Sequence, residues 1–259
     1  MLFDSHAHYD DPRFESDRES LLSRLPQEGV GLVMNVGADL SSSAASAQLA
    51  EQYAHVYAAA GLHPDAVQEY GPEALQQLRV LLAKEKVKAL GEIGLDYYYS
   101  PDNREKQKQV FWEQLQLAEQ LDKPVIVHSR EATEDTLEFL SRTTARGVVH
   151  CFTGSAETAK ELVKNGWYIG FTGVVTFRNA RKTVEAAKAV PPNRLLIETD
   201  CPYMAPEPHR GTRCDSRLLQ FTCARLAQIK EMEPKELENI TYENACRLYR
   251  IPMRQQIME

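Results

Sequence analysis

Five of the seven histidines in this 259-residue chain follow short apolar runs: His6 and His8, His63, His128 and His150. Glu92, Glu198 and Asp200 hold equivalent positions in Gly-Glu-Ile-Gly-Leu-Asp and Ile-Glu-Thr-Asp. Imidazoles and carboxylates gathered in this way are ligands for divalent cations, and zinc, manganese and magnesium all suit the mixture. The His-x-His spacing sets two imidazoles about 7 Å apart along a strand, splayed around a common point. Four histidines with Glu92 and Asp200 make six ligand groups. That is too many for one closed tetrahedral site and suits two divalent ions that share a bridge. A carboxylate can bridge and an imidazole cannot, so Glu92 is the expected bridge. His6, His8 and Asp200 are then expected on one ion, with His128 and His150 on the other. Each residue alone has a blander role. A histidine can simply bond a carbonyl, Glu92 can pair with an arginine, and Asp200 can cap a helix. All of these roles would have to hold together for the chemistry to vanish.

The elements that position these residues recur along the chain. Apolar runs span residues 2–5, 31–36, 56–60, 88–93, 125–128, 147–151, 167–171 and 195–199, separated by stretches of helical period. This alternation predicts an α/β fold with a parallel sheet. Eight βα units in this length fit a closed (β/α)8 TIM barrel, with the metal site at the C-terminal face of the strands. One domain over residues 1–259 is expected. An open doubly wound sheet would carry a glycine-rich turn after its first strand, where this chain has histidines instead. Ser16 with Glu19 reads as a capping box, Ser100-Pro101 and Ser155 read as helix starts, and Asn165-Gly166 as a helix end. Two helices, near 216–231 and 234–249, finish the chain. Strand alternation predicts that His6 shares a face with His8, Leu90 with Glu92, Ile126 with His128, Val148 with His150 and Glu198 with Asp200. Cys151 and Cys201 then fall on the outer side as structural thiols.

Composition narrows the function. With 37 acidic and 30 basic residues the formal net charge is −7. This argues against a broad basic face for nucleic acid and leaves room for a local grip on one or two phosphates. No run approaches the ~20 apolar residues of a membrane span, and the acidic start differs from a signal peptide. Five cysteines without a CxxC pair predict free thiols and a cytoplasmic protein.

Asp-Ser-His-Ala-His at 4–8, Gly-Leu-His-Pro at 61–64, Gly-Glu-Ile-Gly-Leu-Asp-Tyr-Tyr-Tyr at 91–99, Val-His-Ser-Arg at 127–130, His-Cys-Phe-Thr-Gly-Ser at 150–155 and the segment 198–211 resemble, in order, the TatD family of metal-dependent deoxyribonucleases. The resemblance implies a (β/α)8 hydrolase with a divalent site from His6, His8, Glu92, His128, His150 and Asp200. It also implies hydrolysis of DNA phosphodiesters, typically from an end. The sequence departs from the family after Arg210-Gly211, where Thr212-Arg213-Cys214-Asp215-Ser216 replaces the usual Arg-Asn-Glu-Pro stretch.

On this reading a metal-activated water attacks phosphorus, and Asp200 accepts its proton. His63 is expected to contact phosphate or protonate the leaving oxygen. Arg130 and Arg210 are expected to bind phosphate, although Arg130 could instead pair with Glu131. Glu198 is expected to stand behind the ligands and orient one of them. Tyr97, Tyr98 and Tyr99 either stack a base or pack the loop. DNA is the expected partner, bound weakly by a monomer. The same site could serve an ester on nucleic acid such as a D-aminoacyl-tRNA, and a barrel that only binds is the remaining alternative.

Overall fold

The structure, a computed structural model, describes residues 1–253. Residues 254–259, the end of the expected single domain, lie outside the described residues. Eight strands alternate with helices: β1 (Leu2–Ala7), α1 (Arg18–Arg24), β2 (Val30–Val36), α2 (Leu40–Gln52), β3 (Val56–Ala60), α3 (Pro72–Leu82), β4 (Val87–Asp96), α4 (Arg104–Leu121), β5 (Val125–Arg130), α5 (Thr133–Arg142), β6 (Gly147–Val149), α6 (Ala156–Lys164), β7 (Tyr168–Phe171), α7 (Arg181–Ala189), β8 (Leu195–Ile197) and α8 (Leu219–Lys230), with α9 (Pro234–Tyr249) last. The strands are parallel and pair in sequence order. A bridge between Ala7 and Cys201 brings the last strand back to the first. This is a TIM barrel.

The strands are rich in Val, Ile, Leu and Ala because both of their faces are covered. Val33, Leu90, Val125, Val127, Ile169 and Ile197 face the helix layer. Phe3, Met34, Ala89, Ile126, Val148 and Leu196 fill the barrel interior. The interior stack ends on α9, whose Tyr249 lies 6.0 Å from the Phe3 ring, between centroids. That helix closes the N-terminal end of the barrel and leaves the C-terminal end to the functional groups.

Simple alternation fails on two strands. Leu90 packs in the outer layer and Ala89 inside, so Leu90 does not share a face with Glu92 as expected. The register of β4 against β5 shifts between Leu90 and Ile93. An extra residue there re-phases the strand and turns Glu92 inward. A similar shift between Asp4 and Ala7 of β1 lets Asp4 turn to the loop after β8 while His6 turns into the barrel.

The helix starts also differ in part. The Ser16–Glu19 capping box does not form: α1 begins at Arg18, with Asp17 at the cap position making no cap bond. The Asp17 carboxylate instead takes a forked pair from Arg213 at 2.8 and 2.6 Å. Ser100 precedes a short 3-10 turn, Pro101–Asn103, and its hydroxyl donates to Asp65, so α4 starts at Arg104. Ser155 caps α6 through the Thr158 N–H, as expected.

Tyr249 is 1% exposed. Truncation to alanine is expected to open a cavity and cost about 3 to 5 kcal/mol in a denaturant titration. A loss below about 1 kcal/mol would show that the plug contributes little.

Candidate metal centre

Glu92 is the hub. Its Oε2 lies 3.4 Å from His6 Nε2 and 3.8 Å from His8 Nε2. Its Oε1 lies 2.6 Å from His150 Nε2, 2.9 Å from His128 Nδ1 and 3.8 Å from His63 Nε2. The two oxygens of one carboxylate therefore face two separate groups of imidazoles. Asp200 joins the first group, with Oδ1 3.3 Å from His8 Nε2 and 3.7 Å from His6 Nε2. No arginine pairs with Glu92 among the described residues. Burial works against its charge, but His150, His128 and His6 hold the carboxyl well below its usual range.

Hydrogen bonds on the far side of two of the rings, His8 and His128, fix what they offer to the centre. His8 Nδ1 lies 2.8 Å from the Val36 carbonyl, which can only accept, so a neutral ring turns its Nε2 lone pair inward. His128 Nε2 lies 3.2 Å from Asp96 Oδ2, which in the same way leaves Nδ1 as the inward lone pair. His150 Nδ1 faces Glu198 Oε1 at 3.7 Å. Glu198 is fully buried, and burial lifts its carboxyl to about 7 although His150 and the Cys151 N–H pull it down. His6 stacks on His150 with centroids 4.0 Å apart, and burial with His150 lowers it to about 4.

His63 differs in kind. Its Nδ1 accepts the Asp65 N–H at 3.2 Å. A neutral ring then carries its proton on Nε2, which points at Glu92. Burial and His128 lower it to about 4. His63 thus presents a donor rather than a lone pair.

Three sets of metal-ligating side chains each gather within 4.8 Å: His6, His8 and Glu92; His6, His150 and Glu198; and His63, Glu92 and His128. His6 Nε2 and His8 Nε2 are 3.1 Å apart, and a cation satisfies such converging lone pairs together with both carboxylates. The donor set therefore fits a divalent metal. A profile for the family described as TatD related DNase matches residues 3–250. The chain belongs to the TatD family. It is similar to the uncharacterized metal-dependent hydrolase YabD of Bacillus subtilis (strain 168), 42% identical over 254 residues, 97% of this chain and 100% of that protein. The uncharacterized metal-dependent hydrolase YcfH of Escherichia coli (strain K12) is 40% identical over 257 residues, 97% of this chain and 96% of its own length. The crystal structure of YjjV, a TatD homologue from Escherichia coli K12, superposes with a TM-score of 0.91 at 34% identity, covering 97% of this chain and 98% of that one. The chain is a metal-dependent hydrolase.

In this TatD-family barrel the six expected ligands converge from β1, β4, β5 and the loops after β6 and β8. Asp200 adopts a left-handed backbone (φ 57°) and donates its N–H to the His6 carbonyl, which turns its side chain back over the site. Arg130 and Arg210 do not contact the cluster. The Arg130 guanidinium lies 4.5 Å from the ring centroids of Tyr98 and of Tyr99, with no ion pair to Glu131. Arg210 lies over Phe177 at 4.2 Å. The tyrosine run divides: Tyr97 is buried and donates to Asp135, while Tyr98 and Tyr99 are 52% and 65% exposed. Cys201 packs in the outer layer as expected. Cys151 does not: its thiol sits by Thr172, where burial and the Asp200 and Glu198 charges raise it well above its usual value.

Sequence reasoning missed Asp96 and Asp4. Asp96 orients His128 and also accepts the Tyr98 and Tyr99 N–H groups, both at 2.8 Å. Its only signal was its place four residues after Glu92. Asp4 accepts from the Thr199 N–H, the Thr199 hydroxyl and the Ser216 hydroxyl, which ties β1 to the segment that carries Asp200. The unusual stretch 212–216 is thus structural, with Arg213 on Asp17 and Ser216 on Asp4. Asp96→Asn keeps an acceptor for the loop but places an amide against His128 Nε2. Metal affinity, read by chelator competition, is expected to fall about 10- to 100-fold. Unchanged affinity would remove Asp96 from the centre.

Proposed function

We propose that the protein hydrolyses phosphodiester bonds of DNA, working from single-stranded ends, with two divalent ions held by His6, His8 and Asp200 on one side, His128 and His150 on the other, and Glu92 between. The observation that carries this reading is the division of the Glu92 oxygens between two imidazole groups. Zinc, manganese and magnesium remain the candidate ions. Bound there, such ions supply an acidified water and positive charge for phosphoryl oxygens.

The chain's own residues do the rest. Asp200, at the edge of the first group, is placed to take a proton from the attacking water. His63 holds a neutral N–H toward the centre, suited to a phosphoryl or leaving oxygen. Arg130, held by Tyr98 and Tyr99, and Arg210, held on Phe177, stand away from the ions and are assigned to more distant phosphates of the strand. The exposed tyrosines offer ring faces to bases. With a net charge of −7 the protein is expected to bind DNA weakly and in short footprints. All ligands come from one chain, which supports action as a monomer. The five free thiols suit a reducing compartment such as the cytoplasm. Among the described residues no helix is long and apolar enough to cross a membrane.

The test pairs metal analysis by mass spectrometry with digestion of end-labelled single-stranded DNA. Wild type is expected to carry two ions per chain and to shorten the DNA. Glu92→Gln is expected to lose both properties. Two ions without DNA cleavage, together with hydrolysis of a D-aminoacyl-tRNA, would replace the substrate and keep the centre. His63→Gln is expected to keep its metal while kcat falls about 10²- to 10⁴-fold. Loss of metal in that variant would make His63 a ligand.

A further inference from the structure

A polar cavity lies at the end of the barrel opposite the metal centre. It has a volume of about 560 Å³ and is lined by the segments that lead into β5, β6, β7 and β8 and by the end of α9. That volume falls in the usual range for small-molecule sites. Lys123, Arg146, Arg194, Arg247 and Arg250 all contribute to its wall.

Two acidic side chains line it as well, and both are already engaged. Glu119 accepts from the Thr143 hydroxyl and the Thr144 N–H, each at 2.6 Å. Asp122 takes a forked pair from Arg250 at 2.6 and 2.8 Å. Four of the five cations therefore have no ion-pair partner among the described residues. Five positive and two negative side chains meet here in a protein whose formal net charge is −7. Burial lowers the Lys123 ammonium, and Lys88 and Arg250 lower it further.

Part of this charge serves the fold. Arg194 donates to the Gly166 carbonyl at 3.0 Å and lies over the Tyr168 ring at 5.0 Å, and Lys123 donates to the Val87 carbonyl at 2.7 Å. These bonds compensate backbone carbonyls at element ends, and they also hold the two heads in place. Arg146 and Arg247 have no such task. Both are exposed; Arg247 makes a single 3.3 Å bond to Asn244, and Arg146 makes none to the described residues. Fixed cations beside free guanidinium forks on a concave wall make an arrangement that matches an anion with several oxygens. A single carboxylate would leave most of these donors unused, whereas linked phosphoryl groups can engage several at once.

We propose that this cavity binds a polyphosphate anion, free or as the phosphate chain of a nucleotide, at a site separate from the metal centre. The wall offers donors and charge for phosphoryl oxygens, while Leu248, Pro124 and Ala145 give an apolar floor beside them.

The experiment titrates the metal-loaded protein calorimetrically with pyrophosphate, ADP and adenosine, in parallel with Arg146→Ser/Arg247→Ser and Glu92→Gln. Pyrophosphate and ADP are expected to bind and adenosine is not. The double arginine variant is expected to bind about tenfold more weakly or worse, with unchanged melting temperature and unchanged hydrolytic activity. Glu92→Gln is expected to keep the binding. Equal affinity for the two phosphates would identify the free anion as the ligand, and tighter ADP binding would identify a nucleotide. If the double variant melts lower, Arg146→Ser alone carries the comparison. Binding that survives the arginine changes and disappears in Glu92→Gln would place the anion at the metal end and overturn the proposal. Adenosine binding as tightly as ADP, or no binding of either phosphate, would overturn it as well.

Discussion

The structure depends on one buried carboxylate set among imidazoles. Glu92 is 4% exposed and has histidines facing both of its oxygens. A charge in such a place is tolerable only when opposite charge and hydrogen bonds surround it. Most of the arrangement at the top of the barrel follows from that requirement. The strand carrying Glu92 is re-phased to point it inward, and the histidines come from strands on either side. His8 and His128 are each backed by an acceptor that sets its orientation, the Val36 carbonyl and Asp96, and the Glu198 carboxyl faces His150 Nδ1 at 3.7 Å. Two of the candidate ligands thus have their proton positions fixed from outside the centre.

The same logic explains the segment from Asp4 to Ser216. Asp200 can face His6 and His8 only if the end of β8 stays against β1. Asp4 holds that junction through Thr199 and Ser216, and the Asp200 N–H completes it on the His6 carbonyl. A buried hydrogen-bond cluster on the outer side of the barrel therefore sets the positions of candidate ligands on the inner side. Here the atypical loop of this chain contributes through Ser216, not through contact with the reacting groups.

The barrel and the six-residue cluster were legible in the sequence because both follow from one local rule: reactive side chains stand just after apolar runs, and such runs end at one face of a barrel. What was not legible depended on pairings between distant segments. The re-phasing at Leu90 arises from register against β5, which no stretch of β4 encodes by itself. Asp96 lies beyond the apolar run, and its role exists only because His128 sits on the neighbouring strand. The Ser16 cap lost to a tertiary contact, since the neighbouring Asp17 binds Arg213 from the far end of the chain. Arg130 was legible as a rim residue, while its seating between Tyr98 and Tyr99 required the loop conformation.

The closure between Ala7 and Cys201 also has a temporal meaning. The ribosome delivers His6 and His8 well before Asp200, which faces them in the folded barrel. The plug formed by α9 arrives later still. Full assembly of the candidate ligand set therefore cannot precede emergence of residue 200, and sealing of the barrel floor cannot precede Tyr249. A nascent chain exposes an isolated His-x-His pair with little hold on a cation. A cation held jointly by His6, His8 and Asp200 would therefore be bound only by a chain that already carries residue 200.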